Sequence, residues 1–101
     1  MGTQTTKAWD PAEHLETRED CAAYLEAALE DGDTSMISAA LGDIARSKGM
    51  TQIAHDTGLG RESLYKSLSE SGNPELATVL KVVKALGLRL HASPASDEKA
   101  A

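Results

Sequence analysis

Five polar side chains near the middle of the chain have the types and spacing needed to contact nucleic acid. They are Arg61, Glu62, Tyr65, Lys66 and Ser69. Guanidinium and ammonium groups bind phosphates and guanine edges, and hydroxyl and carboxylate groups pair with other base edges in the major groove. Helical spacing places these residues on one exposed face of a short helix. The pattern predicts a surface that reads DNA.

Residues 50–69, which carry this face, are predicted to form two short helices joined by a tight turn. Ala54 is small enough for the two helices to cross closely, and Gly58, four residues later, permits a sharp turn. Apolar side chains fill the wedge between the helices: Ile53, Leu59, Leu64 and Leu68. The pattern favours a helix-turn-helix. The same spacing suits an ordinary pair of packed helices, and that alternative stays open.

Residue types that support catalysis or metal binding are scattered along the chain. The three histidines, His14, His55 and His91, fall on different predicted elements without Cys or carboxylate at ligand spacing, so no metal site and no zinc are expected. No nucleophile motif such as Gly-x-Ser-x-Gly and no phosphate-binding glycine loop occurs. We therefore expect no catalytic residues, no cofactor and no enzymatic activity.

Length and composition predict one all-α domain. The chain has 101 residues with no Phe, one Trp and two Tyr, so the core must come from Ala, Leu, Ile and Val, which suits close helix packing. The single Cys21 stands at an apolar helical position and is expected to be a small buried hydrophobe. No apolar run reaches the roughly 20 residues of a membrane helix, and residues 1–7 lack a signal-peptide core. We expect a cytoplasmic protein without membrane contact.

Charge is distributed unevenly along the sequence. The net charge is −6, but residues 1–43 hold ten acidic and two basic residues, whereas residues 44–92 hold seven basic and four acidic. An acidic arm, net −8, therefore precedes a basic block, net +3. This division predicts two partners of opposite charge, nucleic acid for the block and a basic protein for the arm. Alternatively, the arm is simply solvated.

Three further helices are predicted around residues 50–69. The first spans 18–31, with Thr17 and Asp20 as a capping pair and an apolar stripe of Cys21, Leu25, Ala28 and Leu29. The second spans 34–48, capped by Asp33, with a stripe of Ile37, Ala40, Leu41, Ile44 and Ala45. The last is capped by Asn73, has Pro74 at its first position, and buries Leu76, Val79, Leu80, Val83 and Leu86 before it ends at Gly87. The prediction is a five-helix domain over 10–92, with a flexible segment 1–9 and a disordered tail 93–101.

Residues 88–92 change from helical to alternating apolar periodicity, which predicts a short strand. A lone strand has no partner in an all-helical domain, so it would pair with its copy across a two-fold axis or with another chain. The alternative is an extended tail. We expect a homodimer whose contacts include Leu86, Leu88, Arg89 and Leu90.

Several runs of sequence resemble one known family. They are Ala40-Leu-Gly-Asp-Ile-Ala-Arg46, Gly49-Met-Thr-Gln-Ile-Ala54, Leu64-Tyr-Lys-Ser-Leu-Ser69, Gly72-Asn-Pro74 and Val79-Leu-Lys-Val-Val-Lys-Ala-Leu-Gly-Leu-Arg-Leu90. Over about residues 10–92 the chain resembles the HigA-like addiction-module antidote proteins, which carry a helix-turn-helix of the Cro and lambda-repressor type. It departs from the related repressors at Gly60, where they often have a Ser cap, and at Ser67, where they have a branched residue.

The resemblance implies an antitoxin that neutralises a RelE/ParE-like toxin and binds double-stranded operator DNA to repress its own operon. The DNA contacts that it implies fall on Gln52, Arg61, Glu62, Ser63, Tyr65 and Lys66. Thr51 and Ser69, which adjoin this set, complete the expected DNA-binding residues. Two other functions stay open: a stand-alone phage-like repressor, and a protein-binding module with a decayed helix-turn-helix.

The acidic arm is the expected site for the basic toxin. Residues 8–31 combine two aromatic anchors with carboxylates that would mask the toxin's RNA-binding surface. The residues in this expectation are Trp9, Asp10, Glu13, Glu16, Glu19, Tyr24, Glu26 and Glu30.

Overall fold

A computed structural model describes residues 10–95 and confirms the all-α class. Within this range a single 3-10 turn, Pro11–His14, is followed by five α-helices, and no residue is in a strand. The helices are α1 (Arg18–Asp31), α2 (Thr34–Lys48), α3 (Met50–Thr57), α4 (Arg61–Ser67) and α5 (Leu76–Ala85). The segments 1–9 and 96–101, for which flexible ends were expected, lie outside the described residues, as does Trp9.

Local side-chain chemistry fixes the start of the first two helices as the sequence predicts. The Thr17 hydroxyl accepts from the Asp20 N–H at 3.0 Å, and the Asp20 carboxylate accepts in return from the Thr17 N–H at 3.1 Å. The Asp33 carboxylate accepts from the Ser35 N–H at 2.9 Å and starts α2. Each bond satisfies a backbone donor that has no partner inside its helix, which explains the agreement.

Helix α2 is the central element of the core. It packs against the 3-10 turn and against α1, α3, α4 and α5. Its buried residues Leu41, Ile44 and Ala45 have at most 1% of their surface exposed. They meet Leu25 and the thiol-bearing Cys21 of α1 in one continuous cluster, which confirms Cys21 as a buried hydrophobe. Because four other helices depend on α2, it positions the surfaces described below.

Gly42 lies inside α2, where glycine normally lowers helix stability. A Cβ at this position would overlap the carbonyl oxygen of Leu68 and lie 3.1 Å from its carbonyl carbon. Leu68 is the residue that directly follows α4. The missing side chain therefore lets the end of α4 pack directly against α2.

The start of the last helix differs from the prediction. Helix α5 begins at Leu76 with Glu75 as its cap, so Asn73 does not cap it and Pro74 is not its first residue. Residues 72–75 form neither helix nor strand, and Gly72 packs against the end of α4: a Cβ there would overlap the Ser67 carbonyl oxygen and lie 2.5 Å from that of Lys66. This tertiary contact determines the path of the chain up to Glu75.

Two helices bury only part of the stripe that was predicted for each of them. Leu76 and Leu80 are 71% and 49% exposed, and the buried residues of α5 are Val82 and Val83, followed by Leu86. In α1, Leu29 is 42% exposed. Each of the two helices therefore buries a narrower stripe than its apolar periodicity suggests.

The segment after α5 forms neither helix nor strand through residue 95. The Leu88 N–H bonds to the Val83 carbonyl at 3.1 Å and Gly87 adopts φ 77°, a left-handed glycine ending of the helix. The strand predicted for 88–92 is therefore not formed within the described single chain. A strand requires a hydrogen-bonded neighbour, and the described chain offers none.

Candidate nucleic-acid interface

Helices α3 and α4 form the predicted helix pair with its apolar side closed. Ile53 and Leu64 are each 1% exposed and Leu68 is 4% exposed, so they fill the wedge against the core, as expected. Leu59 and Ala54 are partly buried beside them. With this side of α4 fixed against the domain, the residues on its other side face outward.

The turn between the two helices is ordered by Gly58 and by Thr57, a residue that the sequence analysis did not single out. Gly58 has φ 74°, and its N–H bonds to the Ala54 carbonyl at 2.9 Å. The Thr57 hydroxyl donates to the Ile53 carbonyl at 2.8 Å and accepts from the Leu59 N–H at 3.3 Å. The sequence signal for this role of Thr57 is a hydroxyl residue directly before a turn glycine.

The outer side of α4 carries the predicted polar residues, all exposed: Arg61, Glu62, Ser63, Tyr65 and Lys66. The Arg61 guanidinium carbon lies 5.8 Å from the centre of the Tyr65 ring, a cation–π distance. Among residues 10–95, neither Arg61 nor Lys66 takes part in an ion pair. Their donor groups are therefore available to a ligand.

Three other predicted DNA contacts are arranged differently. Thr51 is exposed at the start of α3, but the Gln52 side-chain amide donates to the Asp56 carboxylate at 2.8 Å. The Ser69 hydroxyl donates to the Lys66 carbonyl at 2.9 Å and is half-buried, so it closes the end of α4. Gln52 must leave Asp56 to reach a base, and Ser69 has a structural bond of its own.

The predicted toxin-binding residues divide into an exposed set and an engaged set. The exposed carboxylates are Glu13, Glu16, Glu19, Glu26 and Glu30. In α1, Glu19, Glu26 and Glu30 are seven and four residues apart, which places them on one outer face. This outer acidic face lies opposite the stripe of α1 that packs on α2.

Asp10 and Tyr24, the engaged set, bind other parts of the same domain. The Tyr24 hydroxyl donates to the Asp43 carboxylate at 2.6 Å, and partial burial together with this bond raises the pKa of Tyr24 to about 12. Asp10 accepts from the Ala12 N–H at 3.1 Å and pairs with Arg46 at 3.3 Å, and these contacts lower the pKa of the Asp10 carboxyl. Arg46 also pairs with Asp43. This network joins the 3-10 turn, α1 and α2, and no periodicity in the sequence indicates it.

The expected dimer residues are likewise divided. Leu86 is 1% exposed, so its side chain belongs to the core of the single domain and is not on the surface. Leu88 is half-buried against the core, whereas Arg89 and Leu90 are exposed. Of the four expected dimer residues, Arg89 and Leu90 therefore lie on the surface of the single chain.

Among residues 10–95, no group of three or more His, Cys, Asp or Glu side chains is arranged to hold a metal ion. No helix in this part of the chain has the length and apolar character required to cross a bilayer.

The described domain presents an exposed polar helix, α4, whose Arg61 and Lys66 form no ion pair among residues 10–95, and a separate acidic face on α1. Comparison with known proteins defines the class more narrowly. Residues 5–94 match a family model described as probable addiction module antidote protein, and the chain belongs to this family. A protein of Haemophilus influenzae strain Rd, described only as uncharacterized, is 51% identical over 87 residues, which cover 86% of this chain and 90% of that protein. No solved structure matches the chain.

Membership of this family supports an antitoxin role and implies a toxin as partner. An antidote acts by binding its toxin, so a regulatory rather than an enzymatic protein is indicated.

Proposed function

We propose that this chain is the DNA-binding antitoxin of a type II toxin-antitoxin module. It binds a basic RelE/ParE-like toxin and represses its own operon by binding operator DNA. The observation that carries the DNA-binding part is α4: Leu64 fixes one side in the core, while Arg61 and Lys66 are exposed without ion-pair partners among the described residues. A helix fixed in this way inserts its polar face into the major groove.

Each side chain on α4 has a distinct role in this proposal. The Arg61 guanidinium binds a guanine edge with two parallel hydrogen bonds, and stacking on Tyr65 limits its rotamers before DNA arrives. Lys66 is a point charge on phosphate. Ser63 and Glu62 lie between them on the exposed surface and contact neighbouring bases. Thr51 and Gln52 approach the DNA phosphate backbone from the start of α3.

The proposed DNA complex contains two copies of the chain. One short recognition helix makes few contacts, whereas two helices about 34 Å apart read both halves of an inverted repeat. The extended segment 88–95, with Leu90 37% exposed, is the proposed contact between copies. Light scattering should give the dimer mass at micromolar concentration, and deletion of 88–101 should give the monomer mass. An unchanged mass would refute this contact.

The proposed toxin contact uses the outer acidic face, Glu19, Glu26 and Glu30. These carboxylates attract a basic protein and accelerate its association. Helix α1 cannot be deleted to test them, since Cys21, Leu25 and Ala28 are core residues. The triple charge reversal Glu19→Lys, Glu26→Lys, Glu30→Lys keeps the core and is expected to slow association with the toxin.

A mobility shift assay on the DNA directly upstream of the gene tests DNA binding. Binding should exceed that to random DNA and should weaken steeply with salt, because phosphate contacts release counterions. Equal and weak binding to both DNAs would refute operator binding and favour the alternative of a protein-binding module.

Co-expression with the neighbouring reading frame tests the antitoxin part. If the neighbour encodes a small basic protein that stops growth, this chain should restore growth. DNA binding without such a neighbour would indicate a stand-alone repressor.

A further inference from the structure

A groove lies between α1 and α2. Its floor consists of four alanines, two from each helix, and its rim consists of Tyr24, Met36, Asp43 and Glu70. Alanines let the two helices approach closely and leave a hollow of about 290 Å³ above them. The groove therefore connects the acidic arm with the segment that directly follows α4.

The size and lining of the groove suit a protein side chain. The hollow has a volume at the lower end of the range for small-molecule pockets, about 300–1,000 Å³, and it is open along one side, so it accommodates a single inserted side chain. Met36, 48% exposed, lies at one end of the floor. Methionine is flexible and polarisable, so it adapts to an inserted apolar group. An apolar side chain of a partner would cover both the alanines and Met36.

The rim of the groove is acidic. Glu70 is exposed and forms no ion pair within residues 10–95, while Asp43 is held by Tyr24 and Arg46. The groove also lies in the acidic half of the chain, where residues 1–43 carry a net charge of −8. DNA would be repelled from this side. A second copy would place like charges opposite each other, which opposes association.

We infer that this groove is the docking site for the toxin, occupied by a toxin segment with one apolar side chain and a neighbouring Lys or Arg. The apolar side chain covers the alanine floor beside Met36, and the cation pairs with Glu70. This inference rests on the proposed antitoxin function. Tyr24, which was expected to anchor the toxin, is already bonded to Asp43, and the groove supplies an apolar anchor in its place. The outer acidic face attracts the toxin, and the groove holds it.

Affinity measurements with the full chain test the groove. The probe is the purified product of the neighbouring reading frame. Met36→Asp and Glu70→Lys should each raise the Kd about tenfold, because each removes a central contact. Both residues are exposed, so the variants should keep the wild-type melting temperature and DNA mobility shift.

Matched controls separate the groove from general changes in charge or hydrophobicity. Leu80→Asp, within α5, removes an apolar side chain that is 49% exposed, against 48% for Met36, and Glu75→Lys at the start of α5 reverses another exposed carboxylate. These variants should bind the probe as the wild type does. Wild-type affinity in both groove variants would overturn the inference, as would equal losses in the controls. Failure of the wild-type chain itself to bind the probe would instead overturn the antitoxin proposal.

Discussion

Replacing Gly42 with alanine tests whether the close approach of α2 and α4 controls the domain. In an exposed helix this change stabilises a protein by about 0.5–1 kcal/mol. Here the new Cβ would overlap the Leu68 carbonyl oxygen and lie 3.1 Å from its carbon, and both are backbone atoms that cannot rotate away. Overpacking of this kind costs about 1–3 kcal/mol. We expect a net loss of about 1–2 kcal/mol.

Urea denaturation followed by circular dichroism measures this change in the free energy of unfolding. For a domain of this size each kcal/mol corresponds to about 4–8 °C in Tm, so thermal melting gives a second readout. Gly60→Ala is the matched control, since its Cβ would lie 3.6 Å from the Ser63 hydroxyl, an ordinary contact. Its cost should stay below about 1 kcal/mol. A Gly42→Ala variant as stable as the wild type would refute the packing argument.

Three further predictions concern single side chains. Arg61→Ala should cost about 1–3 kcal/mol on the operator and relax specificity, whereas Lys66→Ala should weaken binding to all DNA and lower the salt slope by about one; equal losses on operator and random DNA would contradict these roles. Because the pKa of Tyr24 is raised from 10.0 to about 12, its stabilising contribution is complete below pH 10 and is lost as the pH rises through 12. The free energy of unfolding of Tyr24→Phe, measured by urea denaturation, should therefore vary less over pH 10–12 than the wild-type value. An equal dependence of this free energy on pH in both proteins would exclude Tyr24 as the cause. Thr17→Ala should lower stability by about 1 kcal/mol because it removes the capping bond to Asp20, and Thr17→Ser should retain most of it; a neutral alanine variant would show that the cap contributes nothing.

Local sequence determined most of the helical architecture. Thr17 and Asp33 mark the starts of α1 and α2 because their short side chains reach backbone donors only a few residues away. Gly58 marks the turn after α3 for a similarly local reason, its positive φ. These signals depend on neighbours in the chain, so they can be identified without knowledge of the fold.

The candidate DNA-reading residues were also accessible from sequence, because burial of Leu64 and Leu68 fixes which side of α4 faces solvent. The hydrogen bonds that some predicted site residues form within the domain were not accessible from the sequence. Gln52 donates to Asp56, four residues later, and helical spacing permits this pair without showing that it forms. The bond from Tyr24 to Asp43 joins residues 19 apart, and nothing in the local pattern indicates it.

Tertiary contacts determined the remaining features. Gly42 reads as a weak point in a helix until the Leu68 carbonyl is found against it, and Gly72 reads as a loop residue until the end of α4 is found beside it. The groove between α1 and α2 likewise arises only when two helices, each with ordinary alanines, lie side by side. Periodicity and capping act within one segment of chain, whereas close approach and concavity require two segments to meet. The sequence alone therefore determined the helices and the polar face of α4, and the tertiary structure decided how closely they pack and where a partner can dock.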